Sequence, residues 1–141
     1  LHPCGIVENR FYNWNTPKLV ARIGYCDESC IRCAQACPTE ALVPFSVKQK
    51  PGIKIGTAIV NRSLCRPWRK QASCGICIVN CAYGAIDQGI IEFGKINVAV
   101  PIVNIKHCTG CGKCEHLCPV GGEAAIKVDS DGEIRSKRKK K

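Results

Sequence analysis

Twelve of the thirteen cysteines in this 141-residue chain fall into three groups of four. They are Cys26, Cys30, Cys33 and Cys37, followed by Pro38; Cys65, Cys74, Cys77 and Cys81; and Cys108, Cys111, Cys114 and Cys118, followed by Pro119. In the third group the first three thiols sit on one tight loop, and the fourth lies one helical turn onward. Any fold open to the chain must gather these side chains in fours.

A cysteine content this high also occurs in secreted disulfide scaffolds. Cysteines two residues apart on a tight loop are badly placed to bridge each other, however. Zinc suits a C-x2-C pair, but a third and a fourth thiolate so close by oversupply a tetrahedral site. The run C-x2-C-x2-C-x3-C-P is the thiolate pattern that wraps an iron–sulfur cube. At four ligands per cube, the twelve cysteines predict three [4Fe–4S] clusters and a protein that moves electrons. The middle group departs most, with a long gap between Cys65 and Cys74 and Ala82 in place of the closing proline.

The rest of the composition agrees. Hydrophobic residues make up 45% of the chain, but that figure includes the cysteines, and only Trp 2, Tyr 3 and Phe 3 supply aromatic bulk. So thin an apolar supply predicts a core braced by the clusters and an apo-protein that is largely unfolded. The formal net charge of +10 counts the cysteines as neutral. Three ligated cubes at about −2 each lower it to roughly +4, and without the basic tail the body is near −2. That tail, Arg135, Lys137, Arg138, Lys139, Lys140 and Lys141, reads as a solvated interaction segment. No apolar run approaches the length of a transmembrane helix. The sequence contains no methionine, so Leu1 is expected to follow a processing site or to lie inside a longer chain.

Two segments repeat. Ile59-Val60-Asn61 stands before Cys65 as Ile102-Val103-Asn104 stands before Cys108. Each reads as a strand delivering the chain into a cluster loop, followed by a short helical turn and a further strand. The expected fold is α+β and ferredoxin-like, of the bacterial 2[4Fe–4S] type, with an extra cluster-binding unit. Residues 1–25 are expected to form an irregular N-terminal arm, 26–128 the iron–sulfur domain and 129–141 the tail. Residues 44–58 read as a loop or hairpin, and Ile90 to Val100 as two strands joined near Gly94, with Pro101 confined to an edge or a strand end.

In two-cluster ferredoxins the fourth cysteine of each group ligates the other group's cluster. Three groups cannot all be paired in this way. One reading exchanges Cys37 and Cys118 between the outer groups and closes the middle group on itself; another exchanges ligands between the second and third groups. Backbone N–H groups near Gly75, Gly110 and Gly112 are expected to reach cluster sulfurs. Cys4 reads as a free or buried thiol, and His107 and His116 as flanking residues rather than ligands. There is no dinucleotide fingerprint, P-loop, haem site or nucleophile–base pair. With every iron ligated, the chain is read as an electron-transfer component and not an enzyme, with no small-molecule substrate.

The run Cys108-Thr109-Gly110-Cys111-Gly112-Lys113-Cys114-Glu115, the segment Glu123-Ala124-Ala125-Ile126-Lys127-Val128 and the long-gapped middle group resemble the polyferredoxin-type proteins of the MauM/NapG group. The resemblance spans residues 26–128. That group typically carries four cysteine groups, whereas this chain has three. The resemblance implies redox partner proteins, such as an oxidoreductase catalytic subunit or a membrane quinone-linked subunit. It also implies a periplasmic location after removal of an export signal, with the cytoplasm as the alternative. The expected function is a one-electron relay. The alternative class is a structural iron–sulfur protein that braces a larger complex or binds nucleic acid through its tail.

Overall fold

The computed structural model describes residues 6–8, 17–39 and 41–134. Cys4, Phe11, Tyr12, Trp14, Glu40 and the basic run from Arg135 to Lys141 lie outside the described residues. The elements run in the order β1 (Ile6–Glu8), β2 (Pro17–Leu19), α1 (Arg32–Gln35), a 3₁₀ turn (Val47–Gly52), β3 (Thr57–Val60), α2 (Ile76–Val79), β4 (Ile86–Phe93), β5 (Ile96–Val103), α3 (Lys113–His116) and β6 (Ile126–Asp129). Each α-helix is a single turn that carries the third cysteine of its group, Cys33, Cys77 or Cys114, and stops before the fourth. The helical turns therefore lie inside the groups, not after them as the sequence suggested.

The described strands form three antiparallel pairs, β1–β2, β3–β6 and β4–β5. The last is a hairpin in register from Ile86↔Val103 to Phe93↔Ile96. Its turn places Gly94 at φ +60°, the glycine-first geometry of a tight hairpin. Pro101 pairs with Gln88 inside β5, which tolerates a missing N–H because a two-stranded sheet consists only of edges. The β3–β6 pair runs from Thr57↔Asp129 to Val60↔Ile126. So the strand leading into the middle group pairs with the strand leaving the third, and the strand leaving the middle group pairs with the strand leading into the third.

The repeated asparagines close both strands in the same manner. The Asn61 N–H donates to Ala125 O at 2.7 Å, and the Asn104 N–H donates to Ala85 O at 2.8 Å. Behind each, the backbone folds back at once: Cys65 N–H reaches Asn61 O and Cys108 N–H reaches Asn104 O, both at 3.0 Å. The asparagine side chains accept from Ser63 N–H and Lys106 N–H, the local bonding that favours Asn in turns.

Of the two forms expected for residues 44–58 the loop is the one present: the Ser46 N–H donates to Gln49 Oε1 at 2.9 Å and starts the 3₁₀ turn, and Thr57 and Ala58 already open β3. One expectation needs correction: among the described residues no strand follows the first cysteine group before that turn. The N-terminal arm lacks a sequence period, yet Ile6 and Leu19 pair within β1–β2.

The buried cluster consists of Ala58, Ala85, Ile86, Ile126, Cys108 and Cys114, with Val60, Ile78, Val103 and Val128 packed around it. The largest fully buried side chains are only Val100 and Pro67. Apolar burial this small supplies little of the free energy of folding.

Candidate metal centre

Two recesses gather the thiols. The first, about 400 Å³ including its mouth, is lined by Cys65, Cys74 and Cys77 of the middle group and by Cys118 of the third. The second, about 330 Å³, is lined by Cys108, Cys111 and Cys114 and by Cys81 of the middle group. The recesses thus set the fourth cysteine of the second group against the loop of the third, and that of the third against the loop of the second. Cys37 lines no recess with Cys118, and Cys81 does not line the recess of Cys65, Cys74 and Cys77. The reason lies in the strand pairing and in the packing of α2 on α3. A residue one turn beyond either helix emerges over its neighbour's loop. Apolar side chains, including Pro67 and Ile126 in the first recess and Ile86 and Val128 in the second, supply most of the remaining walls.

The first group lines neither recess. Its Cys26 N–H donates to Cys111 O at 2.8 Å, which sets this loop directly against the second recess. Cys26, Cys30 and Cys33 lie close enough to act on one another electrostatically. Cys37 is held by its own turn. The backbone N–H of Leu42, the Thr39 hydroxyl and the backbone N–H groups of Thr39 and Ala41 draw its thiol down to about 7.

The electrostatics of the recesses call for cations. Burial pushes Cys65, Cys111 and Cys114 upward and Cys77 up to about 11, and neighbouring thiols add to the shift in each case. Four buried thiolates repel one another and lose their water, a penalty that an iron core removes. Backbone donors already face the sulfurs: Ala58 N–H reaches Cys108 Sγ at 3.4 Å, and Ala85 N–H reaches Cys81 Sγ at 3.3 Å. Trp68 and Lys113 donate from the backbone to Cys65 and Cys111. The Thr109 hydroxyl, buried in the wall of the second recess, has no partner of good geometry although Tyr83 lies nearby. An acceptor in the recess would satisfy it. Among the described residues no three His, Cys, Asp or Glu side chains are gathered for a single metal ion. The donor set instead fits a larger core held at four corners, and all twelve described cysteines are unpaired thiols.

The Lys113 donor adjoins Gly112, as expected, whereas Ala58, Ala85 and Trp68 lie away from the three glycines. Gly110, at φ +76°, lies where a Cβ would stand 2.5 Å from Gly56 N, and Gly112, at φ +82°, where it would meet Ala21 Cβ at 2.7 Å. These glycines permit close backbone packing around the third loop. His116 is committed to the fold, with Nδ1 at 3.1 Å from Ala21 O and its ring 5.3 Å from that of Tyr25.

Three further residues were not legible in the sequence. Lys50 is buried beside the first group, Arg22 clamps the segment carrying Cys118, and Tyr83 lines the second recess. The Tyr83 hydroxyl is pushed up to about 12 by burial and then by Cys111 and Cys26, so this ring stands near both the first and third groups. None of the three sits in a local pattern, and each acquires its role only from segments far away in sequence.

Comparison with known proteins agrees with this geometry. The 4Fe-4S dicluster domain family matches residues 72–122, which contain seven of the eight thiols of the two recesses. An uncharacterized ferredoxin of Methanocaldococcus jannaschii is 38% identical over 72 residues, 51% of this chain and 94% of that protein. The chain belongs to the ferredoxin-type 4Fe-4S proteins. This ferredoxin is also similar to the methylamine utilization ferredoxin-type protein MauM of Methylophilus methylotrophus, at 36% identity over 117 residues (80% of this chain, 50% of MauM). The ferredoxin-type protein NapG of Escherichia coli is 35% identical over 123 residues, 80% of this chain and 51% of NapG. The chain thus spans about half the length of these relatives. As a ferredoxin-type protein it binds [4Fe–4S] clusters. Among the described residues, no helix is long and apolar enough to cross a membrane.

Proposed function

We propose that the chain relays single electrons through three [4Fe–4S] clusters between a donor and a redox partner protein. Cys65, Cys74, Cys77 and Cys118 would hold one cluster; Cys81, Cys108, Cys111 and Cys114 a second; and Cys26, Cys30, Cys33 and Cys37 a third. Bound there, the clusters supply reversible one-electron exchange without an open iron for substrate chemistry.

The observation that carries this reading is the contiguity of the three cysteine sets. Cys26 bonds to Cys111 through the backbone, and Cys77 lies close enough to Cys114 to push the Cys114 thiol upward electrostatically. The spatial order is therefore first group, second recess, first recess, which is not the order of the sequence. Apolar walls keep bulk water from the sulfurs, and the N–H donors favour the added negative charge of the reduced state. The domain division proposed is an arm over 1–25, the iron–sulfur body over 26–128 and a basic tail over 129–141. The partners proposed are redox proteins, such as the catalytic subunit of an oxidoreductase or a quinone-linked membrane subunit. The MauM relatives are named for methylamine utilization, and a comparable redox system is the natural place to seek them.

Iron and sulfide analysis of the loaded protein, with EPR-monitored potentiometry, tests the proposal. About twelve irons per chain and three reducible centres are expected. About eight irons would remove the first group from the relay, and clusters that cannot be reduced would leave a structural role instead.

A further inference from the structure

Lys50 is a charged residue with only 5% of its surface exposed. From the 3₁₀ turn it reaches the first cysteine loop, where its ammonium donates to the carbonyls of Asp27 and Cys30. It also lies beside the Cys26 thiol, where it works against the upward push of burial. An ammonium has three donors, so two carbonyls leave one for the Cys26 sulfur.

A cation taken out of water needs a counter-charge. The ion pairs among the described residues are Lys113–Glu28 and Lys127–Glu123, so no carboxylate pairs with Lys50. Asp27 is the acid nearby and feels Lys50 at a distance, but what chiefly holds its carboxylate is Ser29, whose N–H donates to Oδ1 at 2.9 Å and whose hydroxyl donates there too. The anion within hydrogen-bond reach of the ammonium is the Cys26 sulfur. The recesses lack this arrangement. The cation in their walls is Arg66, which is exposed and donates to Pro119 O.

We propose that Lys50 is the built-in counter-charge of the first cluster and raises the reduction potential of that cluster alone. This rests on the three-cluster reading above. Reduction adds one negative charge to the ligated core, and a buried cation in contact with a ligand sulfur favours the reduced form. Because Lys50 itself is buried, this attraction is less screened by salt than that of an exposed cation. Lys50 acts through Cys26 and the loop, as a positioning and charge-setting residue.

The test uses the full-length, cluster-loaded protein and the variants Lys50→Met and Lys50→Arg. With about twelve irons retained, Lys50→Met should change the oxidised-to-reduced ratio of one centre at fixed potential by at least tenfold towards oxidised. That is a downward midpoint shift of about 59 mV for one electron. The other two centres should not move, and Lys50→Arg should stay within about threefold of the unsubstituted protein by the same conversion. Loss of the first cluster from Lys50→Met but not from Lys50→Arg also supports a counter-charge. Unchanged midpoints in Lys50→Met overturn the proposal, as does loss of the first cluster from both variants, which assigns Lys50 to loop structure. About eight irons in the unsubstituted protein sink the three-cluster reading itself, and the role of Lys50 with it.

Discussion

One guanidinium, that of Arg22, holds the end of the third cysteine group. Its Nη1 donates to the carbonyls of Glu115 and Cys118 at 3.2 and 2.9 Å, and its Nη2 donates to those of Val120 and Gly122. A planar fork serves four carbonyls where an ammonium cannot. Replacing Arg22 with Met should destabilise the loaded protein by on the order of 2 kcal/mol. The readout is a thermal midpoint lower by several degrees and faster bleaching of the cluster absorbance, with Arg22→Lys in between. A second expectation concerns Cys37. Its thiol is drawn down to about 7 by donors within five residues, all in its own turn. Where that turn persists in cluster-free protein, about half of Cys37 is thiolate at pH 7, against about 1% of a thiol with a pKa near 9. Iodoacetamide followed by peptide mapping should mark Cys37 first, and its advantage should vanish above about pH 9, where ordinary thiols ionise too. The cysteines themselves could be read from spacing, because loop geometry is local. Arg22 and Lys50 could not, because their partners are backbone carbonyls from other parts of the chain, and carbonyls leave no mark in a sequence.

Between strands and loops the tightest constraint is the contact of Gly56 with Gly110. Gly110 has φ +76°, and a Cβ there would lie within 2.6 Å of the Gly56 backbone, while Ile55 N–H bonds to Thr109 O alongside. Gly110→Ala combines backbone strain with a clash against backbone that cannot rotate away. It should cost roughly 3 kcal/mol and prevent stable filling of the recess built by Cys108, Cys111 and Cys114. The exchange of fourth cysteines is tested by pairing substitutions. Iron content should fall by about four in a Cys65→Ala, Cys118→Ala double variant, because both belong to one recess, and by about eight in Cys65→Ala, Cys81→Ala. Equal losses would contradict the exchange. The Ile-Val-Asn repeats were readable because a strand end and an asparagine turn are neighbours in the chain. Which groups share ligands was not readable, since it depends on β3 pairing with β6 and β4 with β5, and strand partners are set by tertiary packing. For a similar reason the sequence does not decide between loop and hairpin before β3. Its prolines and glycines mark a turn, but the Ser46–Gln49 bond decides which turn it becomes.

Across the whole molecule, alanines and cysteines occupy the places where a protein of this length would carry leucine or phenylalanine. Stripping iron with a chelator should therefore abolish the cooperative thermal transition and most of the ordered circular dichroism, and reconstitution should restore both. A chelated protein that still melted cooperatively would show that the side-chain core suffices. The thin composition points to this dependence already in the sequence, whereas the spatial order of the three cysteine sets is not legible there, since the middle group in the chain ends up at one end of the row. The proposed crossing of ligands also bears on how the molecule is made. On the ribosome the first group is complete once Cys37 has emerged, but the second recess lacks a ligand until Cys114 appears, and the first recess until Cys118 does. On the proposed ligand sets, two centres must therefore wait until Cys114 and Cys118 have been synthesised. Until then Cys65, Cys74, Cys77 and Cys81 are exposed as an unfinished set, and it is in this interval that the nascent protein is most open to oxidation or to capture of the wrong metal.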